Sequence, residues 1–277
     1  MLVDLHTHSF YSDGTLSPEE IINEAKEKGV QVISITDHNV LEAYNNFNID
    51  DNEIRIIKGV EIDSKFEDNV LHLLAYNFEN TEKLIKVIDT AREMLLKTSE
   101  VLIERMSKDY KEISTEDYNN YNYDRTKGGW KGIHYLLNKK ITTDLFEGMK
   151  YYSEYKCTHI EFDFPRVKEV CDAVHEAGGY VVLAHPCNYY KNLNKEELLV
   201  KLEALKGLGI DGVESFYPAN SELMTETCVE FCEKNNLIIT AGSDGHGDFG
   251  AVSKGVEYYI GAVKVKEGQL KIEKLLK

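Results

Sequence analysis

The chain has 277 residues, of which 42% are hydrophobic and 29% charged; this suits one large α/β barrel with a modest insertion and excludes a disordered chain. A formal charge of −16 excludes the broad basic footprint that duplex DNA or an anionic membrane requires, yet leaves room for a phosphorylated ligand held through divalent cations. No apolar run is long enough to span a bilayer, MLVDLHTHS lacks the parts of a signal peptide, and the five scattered cysteines read as reduced thiols, so a cytoplasmic location is expected.

In chain order, LVDLH (2–6) predicts a short strand. SPEEIINEAKEKG (17–29) predicts a helix with Ser17 as N-cap, Pro18 in the first turn, Glu20 at the capping-box position and Gly29 as the stop. VQVISITDH (30–38), IRIIKGVEI (54–62) and VLHLLAYNF (70–78) predict further strands. From 82 to 162 the pattern changes to long polar helical stretches and a Tyr/Asn-rich section (114–129), which predicts a mostly helical insertion. Then come a helix (166–179), the strand YVVLAHP (180–186), a helix (195–209), the strand DGVESFYP (211–218), a helix (220–236) and the strand LIITAGSDGH (237–246). Strands alternating with helices predict parallel pairing, as a βα barrel or a doubly wound sheet. The expected division is 1–81 with 163–277 for the main body and 82–162 for the insertion. Cys228 and Cys232 lie four apart on one helix, where packing is the expected role and metal or redox work the alternative.

Six of nine histidines (His6, His8, His38, His72, His185 and His246) fall at the end of a predicted strand or just beyond it, together with Asp13, Glu61 and Asp244. That edge of a βα fold is where loops converge on one mouth. His6 and His8 stand two apart in a strand, so both imidazoles point to one face. Taken singly, each has a plainer reading: Asp13-Gly14 as a turn, Asp37 as a helix N-cap, His72 as a core histidine, Glu214 as an exposed loop carboxylate. Taken together, nine N/O donors exceed what one ion needs, which points to two or three metals sharing a bridging carboxylate; Mn, Fe and Zn all suit such donors.

The fragments DLHTHS, SDG, ITDHN, GVEI, the strand histidine of VLHLLAY, LAHP and SDGH resemble, in order and spacing, the hallmarks of the PHP (polymerase and histidinol phosphatase) family. The resemblance implies a distorted (β/α)7 barrel with a trinuclear centre: one metal at His6, His8, Glu61 and Asp244, a second at Glu61, His72 and His185, and a third at Asp13, His38 and His246. It further implies a small metal-dependent phosphoesterase that acts on a nucleoside 3′,5′-bisphosphate or a short 5′-phosphorylated oligonucleotide, with histidinol phosphate as the alternative substrate. A hydroxide bridging metals would attack phosphorus, with Glu61, His185 and His246 carrying catalytic roles, Asp37 orienting a ligand imidazole, and Glu214, at the end of DGVESF, as a further supporting group facing the mouth. Arg92, Arg105 and Arg125 are candidates to grip a second phosphate, and Trp130, Tyr118, Tyr121 and Tyr123 to stack a base. His134, His159 and His175 lie outside the motif. The rival classes are a metal-dependent amidohydrolase, which would want a lysine where Glu61 stands, and a non-catalytic binding module, which would have lost ligands.

Overall fold

The computed structural model describes residues 2–45, 53–158, 161–253, 255–265 and 268–277. His159 lies outside the described residues.

The first predicted strand is β1 (Val3–Thr7) and the first helix is α1 (Pro18–Glu27). Its capping box forms as the sequence implies: Glu20 N–H donates to Ser17 Oγ at 3.1 Å, and Ser17 N–H donates to the Glu20 carboxylate at 2.7 Å. β2 (Val32–Ile35) pairs with β1 in parallel, and the two-residue β3 (Arg55–Ile56) pairs in parallel with β2. A second sheet holds β4 (Gly59–Phe66), β5 (Asn69–Tyr76), β6 (Tyr180–Leu183), β7 (Gly212–Phe216) and β8 (Ile238–Ala241) in that order.

Two departures from the expected parallel alternation bear on the site. The segment read as one strand at 54–62 is broken between β3 and β4. Gly59 lies at the break, where a Cβ would sit 2.3 Å from Ser34 Oγ and 2.8 Å from Thr36 Cγ2, so only glycine passes. The second departure is β5, which runs antiparallel to both β4 and β6. The turn between β4 and β5 is only Glu67-Asp68, too short for a crossover, with Glu67 in the left-handed region at φ 51°.

Bonds outside the ladders tie the two sheets together. Thr7 bridges Gly245 in parallel, His38 bridges Glu61 in parallel, and Asp244 N–H donates to His6 O at 2.8 Å. One core cluster draws Val3, Leu5 and Val32 from one sheet and Leu74, Tyr76, Val182 and Ile238 from the other.

Between β5 and β6 lie α2 (Glu82–Met106), α3 (Thr115–Asn120), α4 (Lys131–Asn138) and α5 (Leu145–Glu154). The first half of α2 packs Leu84, Ile88 and Ala91 into the core beside the larger sheet. Its second half packs Leu102, Ile103 and Met106 against Tyr118, Tyr135, Leu136 and Tyr151 in a separate small core. The remaining long helices are α6 (Val167–Glu176), α8 (Lys195–Leu208) and α9 (Glu222–Lys234), with a single-turn α7 (Cys187–Tyr190) after β6. Cys228 and Cys232 are fully buried in the core beside the larger sheet. No described helix is long and apolar enough to cross a membrane.

Candidate metal centre

The nine motif residues come together at one mouth. His6 lies on β1 and His8 one residue beyond it, on the same face. Asp13 follows in a loop that folds back tightly: a Cβ on Gly14 would meet His8 O at 2.2 Å. Asp37 holds that loop by accepting from Ser9 N–H at 2.7 Å, Ser9 Oγ at 2.6 Å and Ser12 Oγ at 2.7 Å. Asp37 therefore neither caps a helix nor touches an imidazole, contrary to both readings of the sequence; its carboxylate is spent on the loop that carries Asp13. His38 follows β2, Glu61 is the third residue of β4, and His72 lies within β5 rather than at a strand end. Because β5 runs antiparallel, its early residues reach the mouth that the other strands reach with their ends. His185 (φ 25°) and Asp244 (φ 56°) adopt the left-handed region just after β6 and β8, an unfavourable conformation for non-glycine residues that clusters at functional sites.

Glu61 is the hub. Its Oε2 lies 3.1 Å from His6 Nε2, 3.2 Å from His8 Nε2 and 3.3 Å from His38 Nδ1; its Oε1 lies 2.9 Å from both His72 Nδ1 and His185 Nε2. Asp244 Oδ1 is 3.3 Å from His6 Nε2 and 3.1 Å from His8 Nε2. Asp13 Oδ1 is 3.2 Å from His246 Nε2, and His246 Nδ1 contacts the Asp244 carbonyl at 2.7 Å. Three donor groups, each with its atoms within 4.8 Å of one another, result: His6–His8–Glu61–Asp244, His8–Asp13–His38–His246, and His38–Glu61–His72. His185, expected beside His72, reaches Glu61 without joining that third group.

The donor set fits divalent cations. Five buried atoms of the cluster (His6 Nε2, His8 Nε2, Asp13 Oδ1, His38 Nδ1 and Glu61 Oε2) have no hydrogen-bond partner although they crowd one space. Buried polar atoms are ordinarily satisfied, and a convergent set of unsatisfied N and O donors is what a borderline metal accepts. The electrostatics agree. Burial alone would raise Glu61 and Asp244, but the imidazoles beside them hold both well below the usual carboxylate range. Burial would lower His8 and His72, but Asp244 and Glu61 push His8 up to about 10, and Glu61 and Asp63 push His72 up to about 9. Burial pushes His38 down to about 4. The carboxylates thus strongly favour positive charge in a site nearly closed to water.

Sequence reasoning passed over three contributors. Asp63 Oδ1 lies 3.1 Å from His72 Nε2; it stands two residues after Glu61 on β4, so the same-face rule that paired His6 with His8 would have found it. Tyr217 Oη donates to Asp244 Oδ2 at 3.1 Å, and His72 N–H donates to Tyr189 Oη at 2.8 Å. Of the two readings of Glu214, a group facing the mouth or an exposed loop carboxylate, full burial excludes the second.

The mouth opens into a cavity of about 480 Å³, a size ordinary for a small-molecule site. Its floor includes Asp13, His38, Asp63 and His72; its far wall includes Tyr118, Tyr123, Trp130 and Tyr152 from the segment between β5 and β6. Arg92, paired with Glu42 at 2.8 Å, and Arg125 line it. Arg105 does not: its guanidinium is committed to the Tyr155 and Lys156 carbonyls at 2.6 and 2.8 Å, closing the end of α5, which corrects its reading as a phosphate contact. Tyr121 also misses the cavity and packs on Tyr135. His134 contacts Gly128 O at 2.7 Å, and His175 pairs with Asp211 at the surface.

Residues 4–132 match the model of the PHP domain family. A 5′-3′ exoribonuclease of Haemophilus influenzae is 24% identical over 264 residues, covering 91% of this chain and 92% of the relative. A phosphoribosyl 1,2-cyclic phosphate 1,2-diphosphodiesterase of Eggerthella lenta is 24% identical over 273 residues, covering 91% and 97%. Among solved structures, a Bifidobacterium adolescentis protein described as a candidate metal-dependent phosphoesterase superposes with a TM-score of 0.71 at 26% identity, over 88% of this chain and 87% of that one. With its motif residues gathered in one mouth and residues 4–132 matching the PHP domain family, this chain is a metal-dependent phosphoesterase.

Proposed function

We propose that the chain hydrolyses a phosphate ester on a nucleotide, either a nucleoside 3′,5′-bisphosphate or the end of a short 5′-phosphorylated oligonucleotide. The observation that carries this reading is the approach of five imidazoles to the buried carboxylate of Glu61, two of which, His38 and His72, line a cavity walled by aromatic and cationic side chains. We assign His6, His8, Glu61 and Asp244 to one divalent ion, Asp13, His38 and His246 with His8 to another, and Glu61, His72 and His185 with His38 to a third, with Mn, Fe or Zn as suitable occupants. Such ions would polarise the phosphate and acidify a water.

The protein's own part is to place and screen the ester. Glu61 is shared between two groups and fixes their spacing. We assign His185 and His246 to ligand positions; either would return a proton to the leaving oxygen only where its nitrogen at the mouth is not committed to an ion. Arg92 and Arg125 stand where a second phosphate would meet a guanidinium. Trp130 and Tyr123 offer faces to a base; stacking of this kind contributes roughly 1–3 kcal/mol per base. The acidic surface is compatible with this because only a small ligand has to enter, and the five buried thiols suit a cytoplasmic setting.

We also read residues 1–81 with 163–277 as a distorted (β/α)7 barrel and 82–162 as the insertion that completes the substrate pocket. Support comes from the ties Thr7–Gly245 and His38–Glu61, which join the two sheets edge to edge, and from the insertion's separate core.

The test is phosphate release from 3′,5′-bisphosphoadenosine, short 5′-phosphorylated RNA, histidinol phosphate and an aryl phosphate, each with Mn²⁺ and with chelator. Faster release from either nucleotide than from histidinol phosphate is expected. Preference for histidinol phosphate would overturn the substrate assignment, and release that survives the chelator would overturn the metal assignment.

A further inference from the structure

One buried acid outside the donor groups touches His6, a member of one of them, and His185, which reaches Glu61. On β7, Val213 faces the helices, so its neighbour Glu214 faces the interior. Glu214 is fully buried. Its Oε1 lies 3.0 Å from His6 Nδ1, and its Oε2 accepts the His185 backbone N–H at 2.7 Å. Room for it comes from Gly242: a Cβ there would stand 2.3 Å from Glu214 Oε1 and 2.3 Å from His6 Cβ. Three strands thus meet at one carboxylate, which brings β1 and the turn after β6 to β7.

We infer that Glu214 is a positioning residue of the metal centre, acting through His6 and His185. A carboxylate at Nδ1 accepts the Nδ1 proton of the ring. The tautomer this selects leaves Nε2 with a free lone pair directed at Glu61 and Asp244, where a ligand atom is needed. The second oxygen holds the amide of His185, whose φ of 25° is unfavourable and persists only if its surroundings fix it. One side chain therefore sets both the chemistry of one imidazole and the position of another.

This inference rests on the metal reading above, and the test separates the two. Wild type and Glu214→Gln are loaded with Mn²⁺, and bound metal is measured by mass spectrometry through a chelator titration. Thermal melting is recorded for loaded and metal-free protein. Losing the carboxylate partner of a metal-ligating imidazole typically changes metal affinity about 10–100-fold, so Glu214→Gln should lose Mn²⁺ at roughly 10–100-fold lower chelator. It should also show a smaller metal-induced rise in Tm, while its metal-free Tm stays near wild type. Equal retention, or a Tm loss of the same size with and without metal, would overturn the inference and leave Glu214 a plain packing group. A wild type that holds no Mn²⁺ would instead overturn the metal reading itself. Should Glu214→Gln fail to fold, imidazole nitrogen NMR of the Zn²⁺-loaded wild type decides, with His6 assigned by loss of its signals in His6→Gln. A proton on His6 Nδ1 is expected; an unprotonated Nδ1 would overturn the inference.

Discussion

Each imidazole at the mouth is fixed by a strand or by a backbone contact close by, whereas the aromatic wall across the cavity is fixed mainly by other side chains of the helical segment between β5 and β6. His6 and His8 are locked in register by bonds between β1 and the Asp244 loop, and His185 by its own amide. Trp130, by contrast, is held through Nε1–H donating to Tyr152 Oη at 2.7 Å, which in turn contacts Ser99 Oγ at 2.6 Å, and Tyr123 is held by stacking on His134 with centroids 4.6 Å apart. Geometry is thus set by the strands of the two sheets, and shape by the helical segment between β5 and β6. Metal retention should therefore respond to changes at the mouth, and substrate discrimination to changes on the wall.

The strongest way to break that comparison is at the hub. Glu61 belongs to two of the three donor groups. Glu61→Gln should strip the ions from those two while sparing the Asp13–His38–His246 group, so bound Mn²⁺ measured by mass spectrometry should fall by more than half. A full complement of metal in Glu61→Gln would mean that Glu61 is not the shared ligand. Next in size is Asp37→Asn, which loosens the loop that carries Asp13. Retention of the ion at Asp13 should weaken roughly 10–100-fold with little change in KM once metal is saturating, as a chelator titration with kinetics at high Mn²⁺ would show. A smaller effect is expected on the other side. Trp130→Phe keeps a ring but loses the bond to Tyr152, worth about 1 kcal/mol, so KM for a nucleotide should rise about fivefold while bound Mn²⁺ is unchanged. A loss of metal in that variant would erase the division of labour. The smallest effect concerns the thiols. Burial pushes Cys187 up to about 11 and Cys171 and Cys232 to about 12, so at pH 8 these thiols remain protonated. Native protein should barely react with a thiol reagent at that pH, while unfolded protein should titrate all five cysteines.

The mouth was far more legible in the sequence than the wall. The reason is that donor atoms at strand ends follow the two-residue period of a strand, which a sequence displays directly. His6 with His8 is such a pair, and Glu61 with Asp63 is another that was missed only because Asp63 lies inside a longer strand than expected. Strand direction was not legible: the turn at Glu67-Asp68 reverses β5 and places His72 within the strand, yet nothing in VLHLLAY distinguishes a parallel from an antiparallel neighbour. Arg105 shows why the wall resists such reading. On α2 its spacing from Arg92 says nothing about which helix end it will meet, and in the structure it closes α5 rather than facing the cavity. Asp37 shows the same limit at the mouth, because a polar residue after an apolar strand is compatible with a cap, an imidazole partner or a loop clasp, and only the fold selects the last.

The assignment of the cluster around Glu61 as the chemical centre of a metal-dependent phosphoesterase is directly testable. The most direct measurement is the rate of phosphate release from 3′,5′-bisphosphoadenosine by wild type and Glu61→Gln, each with saturating Mn²⁺ and each after chelation. The account predicts release only from wild type with Mn²⁺, with Glu61→Gln slower by more than about 10²-fold, beyond the loss typical of a residue that merely supports a ligand. Equal release by Glu61→Gln, or release by chelated wild type at the rate of the loaded enzyme, would contradict it.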